Sequence, residues 1–144
     1  MPNRFGTDGL LSNDTRKLVT FKENNMQYIG INDSLKQVIR YRVDNGNIND
    51  TAKKCDTAAY LPSDSTIYLV ELKGCDIKKA CEQILNTMAT LGDKLEGLTV
   101  HGRAVCSRIP TPDIRSSQVI KLERELAKRK GTFQKASRKL SEAI

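Results

Sequence analysis

The stretch that decides the fold of this 144-residue chain reads Thr66-Ile67-Tyr68-Leu69-Val70-Glu71-Leu72-Lys73-Gly74. Its long apolar run predicts a strand that is buried on both faces, like a central strand of a covered sheet. Gly74 ends this strand, and Asp76 is placed to cap a following helix. A strand that leads into a helix predicts an α/β layered fold around a mixed β-sheet.

The helix after this strand is predicted over residues 77–91. Its apolar side chains recur at intervals of three and four residues, which is the period of an amphipathic helix, and Gly92 is a natural stop. The members of this apolar stripe are Ile77, Ala80, Cys81, Ile84, Leu85, Met88 and Leu91.

The remaining elements are predicted from apolar runs and turn residues. The first sixteen residues look loosely ordered. A second helix begins at Ser116 or Ser117, runs to about Lys130 and is closed by Gly131. The predicted strands cover residues 18–21, 26–31, 38–43, 57–61, 98–106 and, as an edge strand, 132–137.

Length and composition predict one soluble, cytoplasmic domain. The chain has room for a single core, and no apolar run is long enough to cross a bilayer. Residues 1–6 carry no apolar segment of the secretory type. Cys55, Cys75, Cys81 and Cys106 include no C-x-x-C pair, so we expect reduced thiols and no zinc site.

The positive charge is concentrated in the C-terminal third. Residues 101–144 contain eleven Lys and Arg against four Asp and Glu, whereas residues 1–100 contain thirteen of each sign. A surface of this kind attracts a polyanion, although a merely solvated basic helix has the same composition. We therefore expect a basic C-terminal helical region over about residues 115–144.

The side chains that carry chemistry are Asp56, Glu71, Lys73 and Gln83. Glu71 and Lys73 are two residues apart on one strand and therefore point to the same face. Asp56 opens the preceding strand, which a hairpin can bring beside the end of the next one. Two carboxylates and a lysine at a strand end suit Mg²⁺ or Mn²⁺ and a phosphodiester substrate.

These residues resemble the D-(x)n-E-x-K signature of the PD-(D/E)XK nucleases. Asp56 is followed after fourteen residues by Glu71-Leu72-Lys73, and the helix that carries Gln83 is similar to the element that follows the core strands in that family. The resemblance covers about residues 38–106 and is closest to small bacterial and phage members. It implies Asp56 and Glu71 as metal ligands, a backbone carbonyl ligand from Leu72, and Lys73 as the catalytic lysine.

The sequence departs from the family pattern at two places. Cys55 stands where the family name has proline. The acidic residue that many members place on an early helix has no clear equivalent. Glu23 and Asp44 are the two candidates, and Asp44, at the end of a predicted strand, is preferred as the further metal ligand.

Two polar residues also have plain structural interpretations. Gln83 flanks the apolar stripe of its helix and could pair with Lys79 one turn earlier. His101 lies in a predicted strand and is expected to be an ordinary structural or exposed histidine.

Three functions follow from these residues. The first is a metal-dependent nuclease that acts on DNA, as a homodimer if it cuts both strands. The second is an idle nuclease-fold protein that binds nucleic acid or regulates a partner, and the third is a protein-binding inhibitor or host-interaction factor. No membrane association is expected. The basic residues expected to hold the phosphate backbone are Arg103, Arg108, Arg115, Lys121, Arg124, Lys128, Arg129 and Lys130.

Overall fold

The computed structural model describes Phe5 and residues 9–43, 57–72, 77–107 and 117–144. Within these residues the chain forms nine strands and two α-helices. No helix in this part of the chain is both long enough and apolar enough to cross a membrane. The elements are β1 (Leu10–Asp14), β2 (Leu18–Glu23), β3 (Met26–Ile31), β4 (Val38–Arg42), β5 (Thr57–Leu61), β6 (Thr66–Leu72), α1 (Ile77–Leu91), β7 (Thr99–Cys106), α2 (Ser117–Ala127), β8 (Phe133–Ser137) and β9 (Lys139–Ala143).

The larger sheet is mixed and has six strands in the order β1-β4-β5-β6-β7-β8. Neighbouring strands from β1 to β6 are antiparallel, and β6, β7 and β8 are parallel to one another. The strand β6 lies inside this sheet and is buried along its length after Thr66. The prediction of a two-face-buried strand within a mixed α/β sheet is therefore confirmed.

Both described helices cover the same face of this sheet. The apolar stripe of α1 packs there together with Val119, Leu122 and Leu126 of α2. The turn after α2 comes very close to β7, because a Cβ at Gly131 would collide with the carbonyl oxygen of Val100. Glycine is thus required there for close approach, whereas the left-handed backbone that ends the helical segment is at Lys130.

The opposite face is covered by a second sheet of three strands, in the order β2-β3-β9. Its inner residues, among them Tyr28 and Leu140, pack against Val70, Leu72 and Val105 of the larger sheet. The expectation of helices flanking the sheet therefore holds for one face only. A hairpin from the N-terminal region and a strand from the C-terminus fill the other face, because the apolar side of β6 that faces away from the helices also has to be buried.

Two sequence predictions about the chain ends were wrong. The first sixteen residues include β1, which forms backbone hydrogen bonds with β4. The polar composition of this segment does not predict a strand, because the strand is stabilised by its pairing with β4. The C-terminal region is helical only to Ala127 and then forms β8 and β9. The edge strand predicted over residues 132–137 is confirmed as β8, but β9 was missed because its apolar pattern is short.

Candidate functional site

The end of β6 carries a fully buried carboxylate. Glu71 is 0% exposed and is paired with Ala104 of β7. It shares a face with Ile67 and Leu69, which both pack in the helix-covered core. Transferring a carboxylate from water into such surroundings costs free energy. A glutamate at this buried position therefore indicates a role other than stabilising the fold.

The strands β5 and β6 form the hairpin that the sequence predicted. Thr57, the first residue of β5, is paired with Val70, and its hydroxyl donates to the Val70 carbonyl at 3.2 Å. The start of β5 thus lies beside the end of β6. Asp56 directly precedes Thr57 in the sequence, but it lies outside the described residues, as do Lys73 and Asp44.

Gln83 lies in the interior and not on the helix surface. Its side chain is 4% exposed, on the helix that covers the same sheet face to which Glu71 belongs. Its backbone carbonyl accepts a hydrogen bond from the Thr87 hydroxyl at 2.9 Å. The structure therefore brings Glu71 and Gln83 to one side of the sheet.

Glu23, the other candidate acid, lies at the same end of the sheet as Glu71 but on its other face. It lines a cleft of about 310 Å³ that opens between β2 and the larger sheet. Thr57 and Leu72 form the floor of this cleft, where β5 begins and β6 ends. Leu72 therefore lines the cleft and is also the last residue of β6, the strand that carries Glu71.

The cleft also contains three cations that sequence analysis did not select, Lys22, Arg40 and Arg42. Arg40 is held in place, because its Nε donates to Ser12 Oγ at 2.7 Å and its Nη1 to the Thr20 carbonyl at 2.8 Å. Its guanidinium lies 5.6 Å from the centre of the Phe21 ring. Burial lowers the pKa of Arg40, and the nearby charge of Arg16 adds to this effect.

A sequence signal for this cleft existed. Arg40 and Arg42 are two residues apart in a predicted strand and therefore point to one face. Residues 1–100 have a net charge of zero, which gives no indication of a basic site in this region. A net charge summed over a region does not show which side chains lie on the same face.

The turn that follows α2 lies at the other end of the sheet, where it carries Arg129. The backbone N–H of Val100 donates to the Arg129 carbonyl, whereas Glu71 is paired with Ala104. Four residues of strand separate these positions, about 13 Å. Lys121, Arg124, Lys128 and Lys130 are exposed, Arg129 is half-buried, and Arg108 and Arg115 lie outside the described residues.

A second cleft of about 310 Å³ runs between α1 and α2, and Lys121 and Arg129 line it together with Glu125. Glu125 accepts a hydrogen bond from Lys128 at 2.9 Å. This acid offsets part of the positive charge of the helix, so the α2 surface is less uniformly basic than the sequence suggested.

Arg103 has to be removed from the predicted phosphate-binding set. It is 3% exposed, and its Nε donates to Glu142 Oε2 at 2.6 Å. Its Nη1 donates to the carbonyl of Thr132 at 2.7 Å, and its guanidinium lies over the Tyr68 ring. Tyr28 donates its hydroxyl to the same Glu142 oxygen at 2.7 Å. The buried side chain of Arg103 thus links β7, β9 and the turn before β8.

His101 is the structural histidine that the sequence suggested, although it has partners that were not foreseen. Its ring stacks on Tyr68 with 4.8 Å between the ring centres. The backbone N–H of Thr132 donates to its Nδ1 at 3.1 Å. Burial lowers the pKa of His101, and Arg103 acts in the same direction.

The described residues contain no group of three His, Cys, Asp or Glu side chains placed to hold a metal ion. A metal site at this end of the sheet therefore depends on the acids that lie outside the described ranges. Cys81 and Cys106 are buried thiols, and burial raises the pKa of Cys81 to about 12. A thiol of this kind stays protonated and is a poor metal ligand.

Comparison of the chain with protein-family models, curated proteins and solved structures finds no match.

Proposed function

We propose that this chain is a divalent-metal-dependent nuclease that hydrolyses phosphodiester bonds in DNA. The observation that carries the proposal is the fully buried carboxylate of Glu71 at the end of β6, beside the point where β5 begins. A carboxylate in the interior of a sheet is expensive for stability and is typical of a position kept for chemistry. The resemblance of Asp56 and Glu71-Leu72-Lys73 to the nuclease signature supplies the reaction class.

The order of the strands also supports the proposal. The strands β4, β5 and β6 form an antiparallel meander, and β7 returns parallel to β6 after α1. The nuclease family requires a mixed central sheet in which the D and E-x-K positions lie on neighbouring strands. The pairing of Thr57 with Val70 puts the start of β5 beside the end of β6, which supports this arrangement.

Each side chain then has a role in the proposed reaction. Asp56 and Glu71, with the backbone carbonyl of Leu72, would hold Mg²⁺ or Mn²⁺ through hard oxygen ligands. The bound ion would supply polarisation of a phosphoryl oxygen and a more acidic water. Lys73 would place its ammonium against the negative charge that develops on the phosphate. Gln83 would support the site from the adjacent helix.

The test is plasmid cleavage with the purified protein in Mg²⁺ or Mn²⁺. We expect cleavage that EDTA abolishes and that falls by about 100-fold or more in Glu71→Gln and Lys73→Ala. Glu82→Gln is the matched control, because Glu82 is an exposed acid on α1 and should leave the rate unchanged. Circular dichroism should give the same fold for all variants, since glutamine has the shape of glutamate.

The proposal is wrong if the wild-type protein has no metal-dependent activity on single- or double-stranded DNA or RNA. It is equally wrong if Glu71→Gln cleaves at the wild-type rate. Cleavage of RNA alone would keep the reaction class and change the substrate.

A second candidate is a nucleic-acid-binding protein that does not cleave. The exposed cations Lys121, Arg124 and Lys128 favour it, because binding to a phosphate backbone needs only positive charge at the surface. Salt-sensitive DNA binding without cleavage in any divalent metal would select this function.

A further inference from the structure

The cleft between β2 and the larger sheet has the charge and position of a phosphate-binding site. Among the described residues, its walls contribute Lys22, Arg40 and Arg42 against one acid, Glu23. Its volume of about 310 Å³ lies at the lower limit of pockets that hold small ligands. Its surroundings therefore favour an anion over an apolar or cationic ligand.

Arg40 is the fixed member of this group. Hydrogen bonds to Ser12 on β1 and to the Thr20 carbonyl on β2 hold its guanidinium between the two sheets. No carboxylate of the described residues forms an ion pair with it. An arginine that is held by neutral partners keeps its full positive charge for a ligand and loses little side-chain freedom on binding.

Arg42 and Lys22 extend the positive charge toward solvent. Arg42 follows Arg40 on the same face of β4 and is exposed, and Lys22 is exposed on β2 across the cleft. Arg42, on the same wall as Arg40, can contact the non-bridging oxygens of a phosphodiester, and Lys22, whose neighbour Phe21 packs inward, adds positive charge beside the cleft.

The cleft reaches the end of the sheet where the proposed chemistry takes place. Thr57 and Leu72 line it, and Leu72 directly follows Glu71. Leu72 points away from the face of Glu71, so a nucleic-acid backbone bound in the cleft would lie at the same end of the sheet as Glu71 but on the opposite face. Arg129, in the turn after α2, lies toward the opposite end of the sheet and does not provide this contact.

We propose that this cleft binds a backbone phosphate of the nucleic acid at the Glu71 end of the sheet, on the face opposite that carboxylate, with Arg40 as the fixed anchor and Lys22 and Arg42 as flanking contacts. The identity of the ligand as nucleic acid rests on the proposed function. The placement of the contact in this cleft rests on the geometry of the three cations.

The test is equilibrium binding of a fluorescein-labelled DNA duplex to the full chain by fluorescence anisotropy, in EDTA so that no cleavage occurs. We expect Lys22→Glu and Arg42→Glu each to weaken binding by about fivefold or more at 50–100 mM salt. Each should also reduce the slope of log K against log salt by about one, the amount expected for one lost phosphate contact.

Lys17→Glu is the matched control. Lys17 is an exposed lysine just before β2, at the far end of that strand from Lys22, and its side chain is 66% exposed beside Asp33. It carries the same change in charge, so we expect it to weaken binding by less than twofold. Equal losses in Lys17→Glu and Lys22→Glu would overturn the proposal, because they would reflect net charge and not a site.

Cleavage measured on the same variants separates the two proposals. Loss of binding in Lys22→Glu and Arg42→Glu by a protein that never cleaves would overturn the nuclease function and keep the phosphate site. Metal-dependent cleavage by a protein whose two cleft variants bind like wild type would keep the nuclease and overturn the site. A wild-type chain that binds no DNA at 50 mM salt would overturn the phosphate site.

Discussion

The imidazole of His101 lies between the Tyr68 ring and Thr132, at a place where the structure needs a neutral ring. Its Nδ1 accepts the backbone N–H of Thr132, so Nδ1 carries no proton and the ring hydrogen is on Nε2. A proton on Nδ1 would abolish this hydrogen bond and would place a second cation beside Arg103. Burial and Arg103 therefore favour the neutral form in the folded state.

The chain has one histidine, so its titration can be followed by NMR without assignment ambiguity. We expect the pKa of His101 in the folded protein to lie below the ordinary 6.5, because burial and then Arg103 disfavour the charged form. The neutral imidazole of His101 then makes its full contribution to the free energy of unfolding above pH 6.5. This contribution is lost as the pH falls from 6.5 through the lowered pKa, where only the unfolded chain takes up the proton readily.

His101→Gln should remove that part of the pH dependence of unfolding by urea between pH 5 and 7. A folded-state pKa at or above 6.5 would contradict the neutral imidazole.

At the scale of elements, α2 shows how one helix serves both the core and the surface. Leu122 and Leu126 are fully buried against the sheet, whereas Ile120 on the outer side is 40% exposed. Lys121, Arg124 and Lys128 lie on the solvent side. The apolar stripe fixes the rotation of the helix, and the rotation decides which cations reach solvent.

Leu122→Ala should lower the free energy of unfolding by about 2–5 kcal/mol, because it leaves a cavity between α2 and the sheet. Ile120→Ala on the same helix should cost less than about 1 kcal/mol, since its side chain is partly in water already. Urea unfolding followed by circular dichroism measures both. Equal losses in the two variants would contradict the observed rotation of α2.

For the whole molecule, the decisive feature is that both faces of the six-stranded sheet are covered by different kinds of layer. The helices cover one face, and the three-stranded sheet covers the other. The outer sheet joins distant parts of the chain, because β9 pairs with β3 and its Glu142 accepts from Arg103 of β7. The two layers share β6 and β7, so they should unfold together.

Leu140→Asp tests this expectation, because Leu140 is the buried apolar residue of β9 that faces the larger sheet. We expect a loss of roughly 3 kcal/mol or more from burying an unpaired charge. Hydrogen exchange should become faster in α1 as well as in β3. Ser141→Asp, one residue further and exposed, should change stability by less than about 0.5 kcal/mol. Faster exchange in β3 alone would show that the layers are separate units.

The sequence by itself determined the local elements of the middle of the chain. The strands at residues 57–61 and 66–72 and the helix at 77–91 were predicted closely, because their apolar periods and turn residues are local signals. The same local pattern placed Glu71 at the end of a buried strand, on the face of Ile67 and Leu69. The nuclease function and the roles of Asp56, Lys73 and Gln83 stay predictions.

Only the tertiary structure decided which side chains meet across long sequence separations. Arg103 and Lys121 are both basic residues of the C-terminal third, yet Arg103 is buried against Glu142 and Lys121 is exposed. The spacing of Arg40 and Arg42 is a sequence signal, but the position of Lys22 near them depends on the packing of β2 beside the larger sheet. The physical reason is that burial and charge pairing depend on the packing of layers, which a one-dimensional pattern of residue types does not contain.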